Sequence, residues 1–418
     1  MISDCLLRRL GAPGPAFGTW VTSLYTVTEL APYLRHPKET RMPPTTTPPA
    51  PTRHGYLADI YTFEWKQLSF HVPLIGVIAI GLCLFLGVAL GHPSAGLIAG
   101  GGAFTLGFGV NQRIADSRLL PMIAATGAVF LSTMIGMLVG HRGFTLVLAA
   151  AVWGFIYGIL TARAAGISWV GQQSAITLFV ASAFPANFHS ALLRALLIGG
   201  GGALQILITS LCLRLLPELA ANLRAIRQTG SEELSHLFNS NFARYRMLLR
   251  LRAMPENLLQ IPTFPFAIRM AFTIAISAEI YRHLGIQSGY WIPMTALLVL
   301  KPAFSETFSR AFLRVGGTLA GAVLSTIFLV HLRPDPFYLA GLTTFFALWS
   351  YATNTVNYGI YTLFLTSYIV FLLSLNTLPG PVIAHRRALC TIAGGLIALA
   401  IHADAIRRLR NRQRTVTE

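Results

Sequence analysis

The sequence predicts an all-α polytopic membrane protein of about 12 transmembrane helices, arranged as two parallel six-helix repeats. Hydrophobic residues make up 54% of the 418 residues and charged residues 11%, whereas soluble domains carry about 25% charged residues. Two long apolar blocks, 71–216 and 264–406, each divide into six spans. A constant offset of 192 residues relates the two blocks. This fraction of charged residues is too small to cover the surface of a soluble protein. We therefore expect the chain to lie in the lipid bilayer.

Charges, prolines, glycines and aromatic clusters mark the ends of the spans. We place those of the first half near 71–91, 94–110, 119–140, 144–163, 170–186 and 190–216. Those of the second half lie near 265–283, 288–303, 311–331, 336–352, 357–376 and 384–405. The segments 94–110 and 288–303 fall short of the ~20 residues that one straight helix needs to cross about 30 Å. We therefore expect tilted, broken or re-entrant helices there.

The evidence for duplication is the spacing of arginines. Arg118 and Arg194 are 76 residues apart, and so are Arg310 and Arg386, with 192 residues between the two pairs. Thr318 likewise falls 192 residues after a threonine of the first half. An even number of spans per half gives both halves the same orientation, which predicts an axis along the membrane normal.

The chain outside the two blocks divides by composition. Residues 1–65 are predicted to be a disordered N-terminus with a Pro/Thr-rich stretch at 41–55, followed by an interfacial helix leading into the membrane. Met42 opens the Pro-rich stretch and competes with Met1 as the start. The remaining segments are the first repeat, a cytoplasmic helical linker, the second repeat and a basic tail, at 66–216, 217–262, 263–406 and 407–418.

The net charge of +17 favours a membrane topology over a nucleic-acid partner. The basic residues stand in ones and twos between apolar runs, with denser groups at 244–252 and 407–414. Cytoplasmic loops of membrane proteins are enriched in this way, which places both termini and the linker in the cytoplasm. The single basic footprint of a nucleic-acid-binding protein is missing.

Arg194 and Arg386, the latter followed by Arg387, break the charge rule because they lie near loops predicted to face outward. One explanation is that the number of spans is off by one, and another is that the side chains reach to the lipid headgroups. The alternative is that they lie inside the membrane and face a cavity. The apolar blocks contain few acids to neutralise them, which favours an anionic substrate. Glu279 is the acid within the body of a second-half span. It is either a proton-coupling residue or a local partner of Arg282.

The stretch GYWIPMTALLVLKPAFSETFSRAFLRVGGTLAGAVLS at 289–325 carries the most distinctive motif. Tyr290 and Trp291 read in isolation as an interfacial aromatic belt. The whole string resembles the fusaric acid resistance / aromatic acid exporter family. Its matching residues are Tyr290, Trp291, Pro293, Thr295, Val299, Pro302, Arg310, Arg314, Gly317, Thr318 and Gly321. RRALCTIAGGLIALA at 386–400 resembles a second helix of that family, and both helices resemble those of plant aluminium-activated malate channels.

The resemblance implies six-helix units paired around an arginine-lined anion path, here between the two halves, in a bacterial inner membrane. Applied to this chain, it implies substrate contacts from Arg386, Arg194, Arg310, Arg118, Arg314, Tyr290, Trp291 and Thr318. Two departures stand out. The first half has Leu97, Ile98 and Ala99 where the second has Gly289, Tyr290 and Trp291. Exporters of this family often carry large cytoplasmic domains, whereas this chain has only the linker 217–262 and a short tail in their place.

The sequence lacks nucleotide-binding, zinc-protease and serine-hydrolase motifs. We therefore predict that the protein is not an enzyme and that it uses no cofactor or metal. The predicted function is export of small organic anions, including aromatic carboxylic acids, with the bilayer and the anion as partners. A membrane-fusion or homo-oligomer partner stays open. The alternatives are a passive organic-anion channel, which needs no titratable coupling residue, and a non-transporting membrane scaffold or assembly factor, which would tolerate loss of the buried arginines.

Overall fold

The computed structural model describes residues 58–114, 117–141, 143–221, 224, 263–285, 288–332, 334–376 and 380–417, with side chains from 60 to 403. The Pro/Thr-rich segment, Met42, almost all of the linker and the side chains of the basic tail lie outside the described residues. The predictions made for those segments stay predictions.

The described secondary structure is helical, apart from one isolated bridge between Ile114 and Ser117. A short helix α1 covers Ala58–Tyr61. The first half holds α2 (His71–Ala89), α3 (Pro93–Gly107), α4 (Leu119–Val139), α5 (Phe144–Leu160), α6 (Ala165–Ser182) and α7 (Phe188–Cys212). The second half holds α8 (Phe264–Leu284), α9 (Trp291–Val299), α10 (Phe304–Leu332), α11 (Pro336–Thr353), α12 (Tyr358–Ser374) and α13 (Gly380–Thr417).

Local sequence signals set several of these boundaries. Asn187, Asp335 and Asn357 precede α7, α11 and α12, and each side chain accepts hydrogen bonds from backbone N–H groups of the first turn. Such caps satisfy donors that the helix itself leaves without a partner. Gly140 and Gly285 follow α4 and α8 with φ of 64° and 57°, a conformation that glycine adopts at little cost.

The helix boundaries repeat at the offset predicted from the arginines. The first residues of α5 and α11 are 144 and 336, and those of α7 and α13 are 188 and 380, which are differences of 192. The starts of α2 and α8, and of α6 and α12, differ by 193. These four pairs of helices fit the predicted duplication, whereas the starts of α3 and α9 differ by 198 residues and those of α4 and α10 by 185.

Each half packs its six helices in the same pattern. In the first half α2 contacts α3 and α7, α3 contacts α7, α4 contacts α6 and α7, and α5 contacts α6. In the second half the equivalent contacts join α8 to α9 and α13, α9 to α13, α10 to α12 and α13, and α11 to α12. The direction of the axis that relates the halves stays a prediction.

The halves meet through a reciprocal exchange of helices. α5 of the first half packs on α8 of the second, and α11 of the second half packs on α2 of the first. One apolar core consequently draws on α5, α6, α8, α9 and α13, and another draws on α2, α3, α11 and α12. Such mutual contacts are expected of an approximate twofold relation.

Small residues bring the exchanged helices together. Gly158 of α5 lies against the backbone of Ala267 in α8, where a Cβ would meet the Cα atom of Ala267. At the other contact, Gly76 of α2 lies beneath the ring of Tyr351 in α11. Close approach at small residues is how helices gain packing energy in lipid, where burying apolar surface between helices gains little.

Seven described helices, namely α2, α3 with its 3₁₀ extension, α4, α7, α8, α10 and α13, are long and apolar enough to cross a membrane. α5 and α12 are shorter apolar helices. α9 has nine residues, about 14 Å at 1.5 Å per residue, so its helical part does not cross the bilayer alone. The expected break in 288–303 is therefore present. The chain is an all-α, multi-pass membrane protein.

Candidate functional site

Glycines hold four second-half helices close together around one region. A Cβ at Gly394 of α13 would lie 2.5 Å from the carbonyl oxygen of Ile292 in α9. Gly317 and Gly321 of α10 lie against the backbone carbonyls of Gly359 and Leu363 at α12. These contacts fix where the side chains of α9, α10, α12 and α13 meet.

Arg387 of α13 is enclosed at this meeting point, with 1% of its surface exposed. Its guanidinium carbon lies 5.2 Å from the centroid of the Trp291 ring, within range of a cation–π interaction. Its Nε donates to the hydroxyl of Thr366, with a distance of 3.3 Å. Its Nη2 has no hydrogen-bond partner. A fully enclosed guanidinium therefore keeps a free donor.

Arg314 of α10 is the second enclosed cation, with 2% of its surface exposed. Its Nε has no hydrogen-bond partner, and it is close enough to Arg387 for the two guanidinium charges to repel each other. One helical turn further along α10, Thr318 is fully buried and its hydroxyl also has no partner. Among the described residues, α10 and α13 thus place hydrogen-bond donors without partners in the same buried region.

Arg310 lies one turn before Arg314 and is partly buried. Its guanidinium carbon is 4.9 Å from the centroid of the Tyr358 ring, and the hydroxyl of Tyr358 has no partner. Tyr157 of α5 also lies within electrostatic range of Arg310. The cluster therefore extends from the second half toward a helix of the first half.

The cluster carries positive charge without a carboxylate partner in the described part of the chain. There, Glu279 forms ion pairs with Arg282 at 2.5 Å and His283 at 3.4 Å, both on its own helix and not in the cluster. Removing an unpaired charge from water costs several kcal/mol, and one cation–π contact returns only about 2 kcal/mol. A bound anion would satisfy the free donors and offset the charge, which is the chemistry this arrangement offers.

Trp291 and Tyr290 line the cluster and are not an interfacial belt. They are 2% and 5% exposed, and their ring centroids lie 5.2 Å apart. Interfacial aromatic residues face the headgroup layer, whereas these rings are enclosed by protein. The interpretation as a belt is therefore wrong for both.

The remaining predicted arginines lie outside this enclosed cluster. Arg118 precedes the first turn of α4 and is partly exposed. Arg194 is partly exposed, and its guanidinium carbon stacks 4.2 Å from the ring centroid of Phe184. Arg386 is also partly exposed. The snorkelling interpretation fits Arg194, while the interpretation as a buried cation fits Arg387.

The structure brings Arg310, Arg314 and Arg387 together within the second half. Arg194 and Arg386 lie on α7 and α13, which pack on helices of their own halves. That these two face each other across the axis stays a prediction. The residues 192 positions before Arg314 and Arg387 are Met122 and Ala195, and both are fully buried.

The sequence analysis noted Arg387 beside Arg386 but assigned the substrate contact to Arg386, and helical periodicity could have identified Arg387 as the buried residue. Thr391 and Gly394 follow Arg387 by four and seven residues, so the three share one face of α13. Thr391 is buried and Gly394 touches α9. The neighbouring Arg386 points about 100° away from that face. Thr366 and Tyr358 were missed because the sequence gives no sign that α12 lies beside the arginines.

Glu279 lies in the next-to-last turn of α8 and binds a neighbour on its own helix. Its Oε2 accepts from Nε of Arg282 at 2.8 Å and its Oε1 accepts from Nη2 at 2.5 Å. A bidentate pair of this kind is the local partnership left open by the sequence. A role for Glu279 in proton coupling stays a prediction, and its observed contacts favour the alternative.

These features define a multi-pass helical membrane protein with an enclosed cationic cluster in its second half. Residues 274–401 match the family described as "Fusaric acid resistance protein-like". That region contains Arg310, Arg314 and Arg387 together with the motif that carried the resemblance. The match confirms the resemblance inferred from the sequence for this part of the chain.

The relatives match this chain over stretches of similar length. An uncharacterized Synechocystis protein is 30% identical over 154 residues, covering 37% of this chain and 20% of its own. The protein ORF2 of Neisseria gonorrhoeae is 30% identical over 151 residues, covering 35% of each chain. The protein YhfK of Escherichia coli is 31% identical over 140 residues, covering 34% of this chain and 20% of its own. The similarity thus spans a fifth to a third of these relatives. No solved structure matches the chain.

Proposed function

We propose that this chain is an inner-membrane transporter that exports small organic anions, among them aromatic carboxylates. The anion path is lined by the buried arginines of the second half, and both termini lie in the cytoplasm. The protein moves its substrate without chemical change.

One observation carries the proposal: Arg314 and Arg387 are enclosed, mutually repelling and supplied with unpartnered N–H donors. Intramembrane charges are expensive and mark substrate or ion pathways. A carboxylate between the two guanidinium groups removes their repulsion and accepts charge-assisted hydrogen bonds. The rings of Trp291 and Tyr290 offer an apolar wall beside the charge, which suits an aromatic body attached to a carboxylate.

The arginines also explain why one anion site per chain is expected. The first half has Met122 and Ala195 at the equivalent positions, so it offers an apolar interior where the second half offers two cations. The broken helix α9 adds its N-terminal N–H groups to the same side as Trp291, and helix N-termini favour anions. The two halves therefore have different roles despite their shared fold.

The proposal is tested by binding of labelled benzoate to the purified full-length protein and by its exchange across proteoliposomes. Arg387→Gln should weaken benzoate binding about 10- to 100-fold, since a hydrogen bond to a charged group contributes about 1.5–3 kcal/mol. Arg314→Gln should do the same. Arg163→Gln is the matched control, because it removes one charge from an exposed loop between α5 and α6.

Three outcomes separate the proposal from its rivals. Exchange of labelled for unlabelled benzoate without net current supports a transporter. A current carried by benzoate, with the same dependence on Arg387, indicates a channel instead. Equal benzoate binding by the wild-type protein, Arg387→Gln and Arg163→Gln would remove the arginine cluster as the site and leave the scaffold alternative.

A further inference from the structure

A second buried polar cluster lies toward the far end of α13, 15 residues beyond Arg387. His402 is 2% exposed and lies between α8 and the first turn of α10. Its Nε2 is 3.1 Å from Nη1 of Arg269, and its Nδ1 is 3.1 Å from the hydroxyl oxygen of Thr307. The separation from Arg387 is about 22 Å along the helix, so this cluster is distinct from the anion site.

The contacts fix where the imidazole carries its proton. Arginine only donates hydrogen bonds, so Nε2 must be the unprotonated, accepting nitrogen. The proton of the neutral ring then lies on Nδ1 and is donated to Thr307. The Thr307 oxygen also accepts from the backbone N–H of Lys301 at 3.0 Å, and its own hydrogen points to the carbonyl of Ala303 at 3.0 Å. Every group in this network is satisfied while His402 is neutral.

A second proton on His402 breaks this network. The added proton occupies Nε2 and faces the N–H of Arg269, so two donors and two positive charges oppose each other at 3.1 Å. The hydrogen bond between α8 and α13 is then lost. Arginine keeps its proton at all physiological pH values, so the histidine alone decides the state of the pair.

We propose that His402 is a proton-binding site that ties α8 to α13 through Arg269 when neutral and releases Arg269 when protonated. The inference goes beyond anion transport and does not depend on which anion is carried. Arg269 lies near the start of α8, seven residues after the end of the linker at 262. The hydrogen bond between Arg269 and His402 joins α8, which packs on the first half, to α13, which carries Arg387.

The other titratable groups around α13 do not reach the ring in the described structure. α9 has no titratable side chain, and α12 has only tyrosines. α10 brings Glu306, which is exposed, and the preceding loop brings Lys301, which is partly buried. The ring of Phe304 covers the imidazole edge-on at 5.4 Å between centroids. Among the described side chains, Arg269 is therefore the charged group in contact with His402.

The test measures the distance between α8 and α13 in the full-length protein in lipid nanodiscs. Spin labels are placed by Ile268→Cys and Leu396→Cys, both at lipid-exposed positions, after replacement of the native cysteines by alanine. The inter-label distance distribution, recorded by electron paramagnetic resonance, should shift and broaden between pH 8 and pH 5.5. The labelled protein that keeps both Arg269 and His402 is the reference.

Two variants make the test specific. His402→Gln keeps an acceptor for Arg269 but cannot take up a proton, so its distribution should match that of pH 8 at both pH values. Arg269→Gln places an amide against the ring, which can donate to the neutral form or accept from the protonated form. Its distribution should also stay constant with pH.

A label pair in the first half controls for general effects of acid. Leu131→Cys on α4 and Leu207→Cys on α7 report on two helices that pack together far from His402 in sequence. Their distance should not change with pH. The proposal is overturned if the α8–α13 distance is constant in the reference protein, if His402→Gln shows the same shift as the reference, or if the first-half pair shifts equally. Because no anion is added, these outcomes are independent of the transport proposal.

Discussion

Arg386 and Arg387 are neighbours in sequence, yet only Arg387 is enclosed by the protein. Consecutive residues of a helix point about 100° apart around its axis. A motif that matches Arg386 therefore does not show that its neighbour Arg387 is the buried residue. The face shared by Arg387, Thr391 and Gly394 packs on α9. The angular position of each arginine around the axis of α13 therefore decides which of the two is buried in the cluster.

At Arg387, the shape of the charge matters as well as its presence. Arg387→Lys keeps a positive charge but loses the planar fork and most of the stacking on Trp291. We expect benzoate binding to fall between that of the wild-type protein and that of Arg387→Gln, roughly tenfold below wild type. Direct binding measurements on the three purified proteins check the order. Lysine binding as tightly as arginine would show that charge alone is recognised.

Arg386→Gln separates the two neighbouring arginines. Because Arg386 is only partly buried, neutralising it should weaken benzoate binding several-fold less than Arg387→Gln does. The comparison uses the same helix, the same charge change and the same assay. The reverse order would restore the assignment of Arg386 as the central cation, as the sequence motif indicates.

Glu279 binds Arg282 and His283 on its own helix, so its charge already has local partners. We expect Glu279→Gln to leave the pH dependence of benzoate exchange unchanged, because the pair lies at a partly exposed helix end. Exchange rates measured from pH 5.5 to pH 8 in proteoliposomes test this. Loss of pH dependence would return Glu279 to the role of coupling residue.

At the scale of the helix, α10 shows how small residues decide packing. Gly317 faces the backbone of α12, while its neighbour Gly316 has open space where a Cβ would be built. The two glycines cannot be told apart in sequence. The contact between α10 and α12 therefore depends on one of two adjacent glycines, and α12 supplies Thr366 and Tyr358 to the arginine cluster.

This difference gives a matched pair of substitutions. Gly317→Ala forces α10 and α12 apart and should destabilise the protein by about 1–3 kcal/mol, as overpacking does in closely packed interiors. Gly316→Ala should have little effect on stability or increase it slightly, since alanine is the better helix former. Thermal unfolding of the purified proteins in detergent measures both. Equal behaviour of the two variants would contradict the close contact.

At the scale of the whole molecule, the halves are interlocked. Each of the two large apolar cores takes helices from both halves, so a separated half leaves the apolar faces of its exchanged helices without partners. Neither 66–216 nor 263–406 is therefore expected to be a stable unit alone, although each is a complete six-helix repeat.

Separate expression tests this dependence. The second half produced alone should be degraded or aggregate, while both halves produced together from a chain cut within the linker should recover a folded, monodisperse protein. Size-exclusion chromatography of a fluorescent fusion reports the result. A second half that is monodisperse and stable by itself would show that the shared cores are not needed for folding.

The topology is a second whole-molecule prediction. The predicted six spans per half and the dense arginine groups lead us to expect the linker and both termini in the cytoplasm. A cysteine at position 235 and another in the tail should resist an impermeant reagent in intact cells and react in inverted vesicles. Labelling of either from the periplasmic side would overturn the even number of spans.

The class of the molecule and the twelve helices described within its two apolar blocks were predictable from the sequence, and so was the 192-residue spacing. These follow from composition, from hydrophobic runs and from spacing along the chain, which are local or one-dimensional quantities. Local caps such as Asn187 and Asp335 then fixed where helices begin, close to the predicted spans. The family resemblance was also readable, because its motif is contiguous.

Only the tertiary structure decided which arginines are buried, which helices are exchanged between the halves and what Glu279 binds. Enclosure of Arg314 and Arg387 depends on glycines that draw α9, α10, α12 and α13 together over gaps of up to a hundred residues. The network of His402 joins residues separated by 133 positions in the chain. Contacts at such distances depend on how helix faces pack, and hydrophobic patterning along one chain leaves that choice open.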